Sequence, residues 1–177
     1  MTSTPRGARR ITPIRSADRA AAIRRALEVR AAGGVPLIGD ERWSEDAWAT
    51  LVRRAAGARL PEDAEWATMT SGTTGSPRIL LRSDASWAAS YPGIDRALGV
   101  RAGDRMLLPV HPVSSMTVYG AAHARARGIE WSVPRRARLS AADLAGPTLM
   151  HGTPHHLADA LDLLEGGASS TLRAVLV

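Results

Sequence analysis

The stretch from Thr70 to Arg78 reads TSGTTGSPR and combines two glycines, several hydroxyl side chains and one arginine. Glycines let backbone N–H groups approach an anion closely, and an arginine offers a planar cation that matches phosphate oxygens. The same residue types also favour turns, so composition alone leaves a polyphosphate-binding loop and a polar turn both open. The glycine spacing and the missing lysine exclude the G-x-x-x-x-G-K-[ST] loop of P-loop NTPases.

The loop lies between two short apolar segments, 66–69 and 79–81, which predicts a hairpin around it. Apolar periodicity and capping residues predict helices over 16–32, from 44 onward, over 83–99, over 114–127, from 140 and from 153–154. Short apolar runs predict further strands at 35–38, 105–110, 129–133, 147–150 and 172–177. Strands that alternate with helices indicate an α/β fold with a mainly parallel sheet and flanking helices.

Composition limits the classes of function. The 177 residues include no cysteine, which excludes a disulfide framework and a thiolate metal site. No apolar run approaches the ~20 residues of a membrane span. The net charge is +6, and every positively charged side chain other than histidine is an arginine. These arginines are scattered along the chain, which argues against a nucleic-acid-binding surface. An arginine-rich nucleic-acid binder stays one alternative.

The N-terminus is rich in arginine, but no apolar signal region follows it. We therefore expect residues 1–15 to be disordered, residues 16–177 to form the folded domain, and the protein to be cytoplasmic.

The histidines give one candidate site residue. Gly152 and Pro154 interrupt any helical pairing of His151 with His155, so no metal site is expected there. His111 follows a predicted strand, where open α/β sheets place their ligands. It is either a ligand-binding residue or a loop histidine with ordinary hydrogen-bond partners.

The order of residues in TSGTTGSPR resembles the phosphate-binding signature T-S-G-[ST]-T-G-x-P-K-G of the adenylate-forming enzymes. This family includes acyl-CoA synthetases and the adenylation domains of nonribosomal peptide synthetases. The segment LIGDERW at 37–43 is similar to one in short o-succinylbenzoate–CoA ligases. Segments 107–111, 148–154 and 172–177 also resemble family stretches, so the resemblance covers about 36–177.

The resemblance implies the N-terminal part of the large AMP-binding domain of a carboxylate-activating ligase. Such enzymes form an acyl-adenylate from a small carboxylic acid and ATP with Mg2+, then transfer the acyl group to a thiol such as CoA. His111 would border the acyl pocket. The phosphates of ATP would be bound by Thr70, Ser71, Gly72, Thr73, Thr74 and Gly75, with Arg78 assisting.

Several positions depart from the family pattern. Arg78 replaces the usual lysine, Ile79 a glycine, and Pro112 a second histidine. The family's adenine-binding turn and lysine-bearing C-terminal domain have no counterpart, and the sequence contains no lysine, so no catalytic residue is assigned. We expect the chain to be inactive alone and to need a separate C-terminal half or self-association. The alternative is a non-catalytic ligase remnant that serves as a binding or scaffold protein, so whether the chain is an enzyme stays open.

Overall fold

The structure is a computed structural model that describes residues 9–70 and 78–177. The strands in these ranges are β1 Ile11–Ile14, β2 Val35–Ile38, β3 Trp66–Met69, β4 Ile79–Arg82, β5 Arg105–Leu107, β6 Glu130–Ser132, β7 Leu149–His151 and β8 Ala174–Leu176. The helices are α1 Arg19–Ala31, α2 Glu45–Ala56, α3 Asp84–Ala88, α4 Tyr91–Leu98, α5 Ser115–Arg127, α6 Ala141–Leu144 and α7 Pro154–Glu165. None of these helices is long and apolar enough to cross a membrane.

The strands form two four-stranded sheets. The first has the order β1-β2-β3-β4, in which β1, β2 and β3 are parallel and β4 is antiparallel to β3. The second has the order β6-β5-β7-β8 and is parallel throughout. The predicted α/β fold and mainly parallel strands are therefore confirmed, and so is the hairpin at 66–81.

Helices α1 and α5 lie between the two sheets. Ala26 of α1 and Val118 of α5 pack in a core cluster with Ile14, Ile38 and other residues of the first sheet. On the other side, Ile23 and Ala121 pack against Met106, Leu108 and Leu149 of the second sheet. Helix α2 covers the outer face of the first sheet, while α6 and α7 cover the outer face of the second. Successive strand residues point to opposite faces, so each sheet contributes to two clusters.

The prediction that residues 1–15 are disordered is wrong for strand β1. Ile11 and Ile14 are buried on opposite faces of the first sheet, because their odd spacing in an extended strand turns them apart. Arg9 donates hydrogen bonds to the carbonyl oxygens of Gly33 and Glu62. Residues 1–8 lie outside the described part of the chain.

Two helix boundaries also differ from the predictions. Helix α1 is capped by Asp18, whose carboxylate accepts a hydrogen bond from the Ala21 N–H, rather than by Ser16. The helix predicted over 83–99 is divided into α3 and α4. Pro92 lies in the first turn of α4, where its missing N–H is tolerated, whereas inside one continuous helix it would remove a hydrogen bond.

Candidate functional site

The carboxyl ends of strands from both sheets carry the predicted site residues. In the first sheet, Leu37 of β2 is paired with Ala67 of β3. Asp40 lies three residues after Leu37 and Thr70 three residues after Ala67, so both are equally far beyond the paired residues. Neighbouring strands lie about 4.8 Å apart, which brings these two segments side by side. His111 comes from the segment that follows β5 of the second sheet.

Thr70 and Arg78 form the base of the glycine-rich loop. The Thr70 N–H donates to the Arg78 carbonyl at 3.1 Å, and the Arg78 N–H donates to Thr70 Oγ1 at 3.2 Å. These two hydrogen bonds hold the end of β3 beside the start of β4. Arg78 is exposed at this position. Ser71, Gly72, Thr73, Thr74 and Gly75 lie outside the described residues, so their contact with phosphate stays a prediction.

His111 links the two sheets through Glu41. Its Nε2 lies 2.8 Å from Glu41 Oε2, and its Nδ1 accepts a hydrogen bond from the Val113 N–H at 3.2 Å. Because Nδ1 acts as an acceptor, the proton is on Nε2 and is donated to the carboxylate. Burial would raise the pKa of Glu41, but its own backbone N–H and His111 outweigh burial and lower it.

Asp40 forms an ion pair with Arg42 beside Glu41. Arg42 donates to both of its carboxylate oxygens, at 2.8 and 2.5 Å, and this side-chain pair is the main reason that the pKa of Asp40 falls to about 2. Ligand atoms of Asp40, Glu41 and His111 lie within 4.8 Å of one another, a spacing that a metal ion could use. The guanidinium of Arg42 already neutralises Asp40 and would repel a cation. We therefore assign Asp40 to an ion pair with Arg42, and Glu41 and His111 to a hydrogen bond between the sheets, and we assign no metal to them.

A cavity of about 280 Å³ lies between the β3–β4 hairpin, helices α3 to α5 and the end of β7. It is lined by Thr68, Leu80, Arg82, Trp87, Ile94, Ser115, Met116, Tyr119 and His151. His151 belongs to β7 and is only 9% exposed, and its burial lowers its pKa to about 4. His111 is not among the lining residues, so its predicted place beside an acyl pocket stays a prediction.

The other two histidines of the C-terminal region lie on helix α7 rather than beside His151. His156 takes part in the N-terminal cap of α7, with its Nδ1 2.7 Å from Thr153 Oγ1. His155 is exposed, and its Nε2 lies 3.8 Å from the buried Asp159. The predicted helix start at Thr153 and Pro154 is confirmed.

No family model and no curated protein matches the sequence. The fold, however, matches solved structures. The o-succinylbenzoate CoA synthetase of Bacillus subtilis, in complex with the acyl-adenylate intermediate OSB-AMP, has a TM-score of 0.66 and 14% identity over 86% of this chain. Wild-type E. coli MenE has a TM-score of 0.70 and 17% identity over 94%. The nonribosomal peptide synthetase FmoA3 has a TM-score of 0.74 and 19% identity over 97%.

The chain has the fold of a part of the adenylate-forming enzymes. It spans 50%, 43% and 23%, respectively, of those three chains, and therefore half of their length or less. With identities below 20%, the likeness establishes the fold alone.

Sequence reasoning missed several residues of this adenylate-forming fold that surround the candidate site. Asp40 and Glu41 belong to LIGDERW, which was noted as a resemblance but not as a source of site residues. Their position directly after an apolar strand, as with His111, was a usable signal. Tyr119 and His151 line the cavity from a helix and a neighbouring strand. No local pattern in the sequence marks that pairing.

Proposed function

We propose that the chain forms part of an ATP-dependent ligase that activates carboxylic acids. A carboxylate oxygen attacks the α-phosphorus of ATP, the bond to the bridging oxygen breaks, and pyrophosphate leaves. A thiol such as CoA then takes the acyl group and releases AMP. The observation that supports this proposal is the position of Thr70, the first residue of TSGTTGSPR, directly after a parallel strand of a fold shared with adenylate-forming enzymes.

The loop has the donors that the departing pyrophosphate requires. Charge develops on the phosphate oxygens during phosphoryl and nucleotidyl transfer, and fixed donors stabilise it. We assign this role to Thr70, the loop residues Ser71 to Gly75, and Arg78. Thr70 Oγ1 accepts a hydrogen bond from Arg78, which leaves the hydroxyl hydrogen of Thr70 for a phosphate oxygen. Arg78 would bind two oxygens at once, where the family lysine offers a single ammonium group.

The proposal also has to accommodate Mg2+, the acyl group and the thiol. Mg2+ would enter with the phosphates of ATP, and we give it no protein ligand among the described residues. The acyl group would occupy the cavity lined by Tyr119 and His151, which lies between the sheets. The thiol acceptor has no residue assigned to it.

The test measures the affinity of the chain for Mg-ATP by isothermal titration calorimetry. Replacing Arg78→Ala removes a charge-assisted contact worth about 1.5–3 kcal/mol, so binding should weaken by about tenfold or more. Arg59→Ala is the matched control, because Arg59 is exposed and precedes β3 instead of following it. Equal weakening by both substitutions, or no ATP binding by the unmodified chain, would contradict the proposal.

A further inference from the structure

The imidazole of His151 lines the cavity, and no group in the described part of the chain forms a hydrogen bond with it. Its ring makes an edge contact with Tyr119, with 5.8 Å between ring centroids. Gly120 makes room for Leu108 and for the ring, since a Cβ atom at that position would lie 2.5 Å from Leu108 Cδ2 and 3.2 Å from His151 Nδ1. The fold therefore accommodates an imidazole here, and no described residue uses its hydrogen-bonding capacity.

Burial and, to a lesser extent, the nearby His123 hold the pKa of His151 at about 4. The ring is consequently neutral at pH 7 and presents one N–H donor and one acceptor nitrogen. The imidazole nitrogens can bond to water in the open cavity, so a ligand hydroxyl that replaces this water gains the net free energy of one hydrogen bond. A hydroxyl group suits either nitrogen because it can both donate and accept.

The walls of the cavity favour a small ring. The rings of Trp87 and Tyr119 meet edge to face, with 5.5 Å between centroids, and Leu80, Ile94 and Met116 add apolar surface. Aromatic side chains bind other aromatic rings in such offset and edge geometries. The volume of about 280 Å³ is at the small end of ligand cavities. Arg82, which also lines the cavity, favours an acid over a neutral compound.

We propose that this cavity binds a small aromatic carboxylic acid and that His151 recognises a hydroxyl group on its ring. The role of that acid as the acyl substrate rests on the proposed function. The acid-binding site itself does not, because it is argued from the cavity and the unpaired imidazole.

The experiment compares benzoate with the three monohydroxybenzoates by calorimetric titration of the chain at pH 7. The best hydroxybenzoate should bind about tenfold tighter than benzoate, which is the gain from one net hydrogen bond of about 1.4 kcal/mol. His151→Leu should abolish this ratio, while His151→Gln, which keeps a donor and an acceptor, should retain part of it. The exposed His155→Leu is the matched control and should keep the full ratio.

A readout on the unmodified chain covers the case in which a variant does not fold. The imidazole NMR signals of His151 should shift with the best hydroxybenzoate and not with benzoate. Equal affinity for benzoate and every hydroxybenzoate, no saturable binding of any acid, or a ratio that survives His151→Leu would each overturn the inference. Titration of the same samples with Mg-ATP separates the two proposals: ATP binding without a hydroxyl preference refutes this inference, and the preference without ATP binding refutes the proposed function.

Discussion

At the scale of single residues, the fold disfavours the charged form of His151. Its pKa is lowered from 6.5 to about 4 in the folded chain, mainly by burial. As the pH falls from 6.5 towards 4, the unfolded chain binds the proton more readily than the folded chain, so the free energy of unfolding decreases and then levels off. The total loss from this residue should be on the order of 3 kcal/mol.

Urea denaturation at a series of pH values between 7 and 4 measures this effect. His151→Leu should flatten the dependence of unfolding free energy on pH, while His155→Leu should leave it as in the unmodified chain. The slope is compared rather than the absolute stability, because a leucine also changes packing in the cavity. Parallel curves for the unmodified chain and His151→Leu would show that His151 already titrates normally.

Asp104 holds together three segments at the amino end of the second sheet. Its carboxylate accepts hydrogen bonds from Thr148 Oγ1 at 2.7 Å, from the Arg101 N–H at 2.7 Å and from Arg173 at 2.5 Å. Burial raises the pKa of Asp104, but these bonds outweigh burial and lower it. Asp104→Ala removes three hydrogen bonds to a buried carboxylate and should reduce the unfolding free energy by about 3 kcal/mol.

Chemical denaturation checks this prediction against Asp63→Ala, which removes an exposed carboxylate from the connection before β3. The control should change stability by about 0.5 kcal/mol or less. A similarly small effect of Asp104→Ala would mean that the three segments are held by packing alone.

At the scale of elements, helix α5 fixes the segment that carries His111. Thr117 is buried in α5, and its hydroxyl donates to the Val110 carbonyl at 2.8 Å. Thr117→Val keeps the shape but leaves that carbonyl without its donor, so unfolding free energy should fall by about 1–2 kcal/mol. Hydrogen exchange at the backbone amides of Val110, His111 and Val113 should become faster. Thr50→Val, on the exposed face of α2, is the control, and unchanged exchange at these three amides would contradict this role of Thr117.

The local elements were largely predictable because local chemistry determines them. Ser44 caps α2, Ser140 caps α6, and the segments beside the loop pair as a hairpin, as the residue types indicated. The division into two sheets was not predictable from periodicity, because strands buried on both faces read as short apolar runs in either arrangement. Strand β1 was missed for a related reason: Ile11 and Ile14 are separated by polar and proline residues and acquire their role only through pairing with β2.

The candidate site also has one part that the sequence predicts and another part that depends on the packing of distant segments. The loop from Thr70 to Arg78 was evident from residue order, whereas the pairing of Glu41 with His111 joins residues that are 70 positions apart. The cavity around His151 combines a hairpin, three helices and a strand. Such combinations depend on the packing of whole layers, which no short motif encodes.

At the scale of the whole molecule, large apolar side chains are exposed on α7 and directly after β8. Leu161, Leu164 and Val177 are 49%, 39% and 57% exposed, and β8 has β7 as its single neighbour in the described sheet. Open strand edges and exposed apolar groups favour association. We propose that a second copy of the chain covers these side chains.

Sedimentation velocity over a range of concentrations tests that proposal. The chain alone should self-associate as concentration rises, and the double change Leu161→Glu with Leu164→Glu should shift it towards the monomer by placing charges in the contact. Ala56→Glu, at the exposed end of α2, should have no such effect. A chain that stays monomeric at every concentration, with or without these changes, would exclude self-association through Leu161 and Leu164.

The position of the phosphates of ATP tests the central claim most directly. Backbone amide NMR of the 15N-labelled chain, titrated with Mg-ATP, reports which residues the nucleotide contacts. We predict that the largest shifts fall on Thr70 to Ser76 and Arg78, with smaller shifts in the adjacent segment 39–41. Shifts that cluster elsewhere, for example on the arginine-rich segment 135–138, while the loop amides stay unchanged would contradict the assignment of this loop and with it the proposed ligase function.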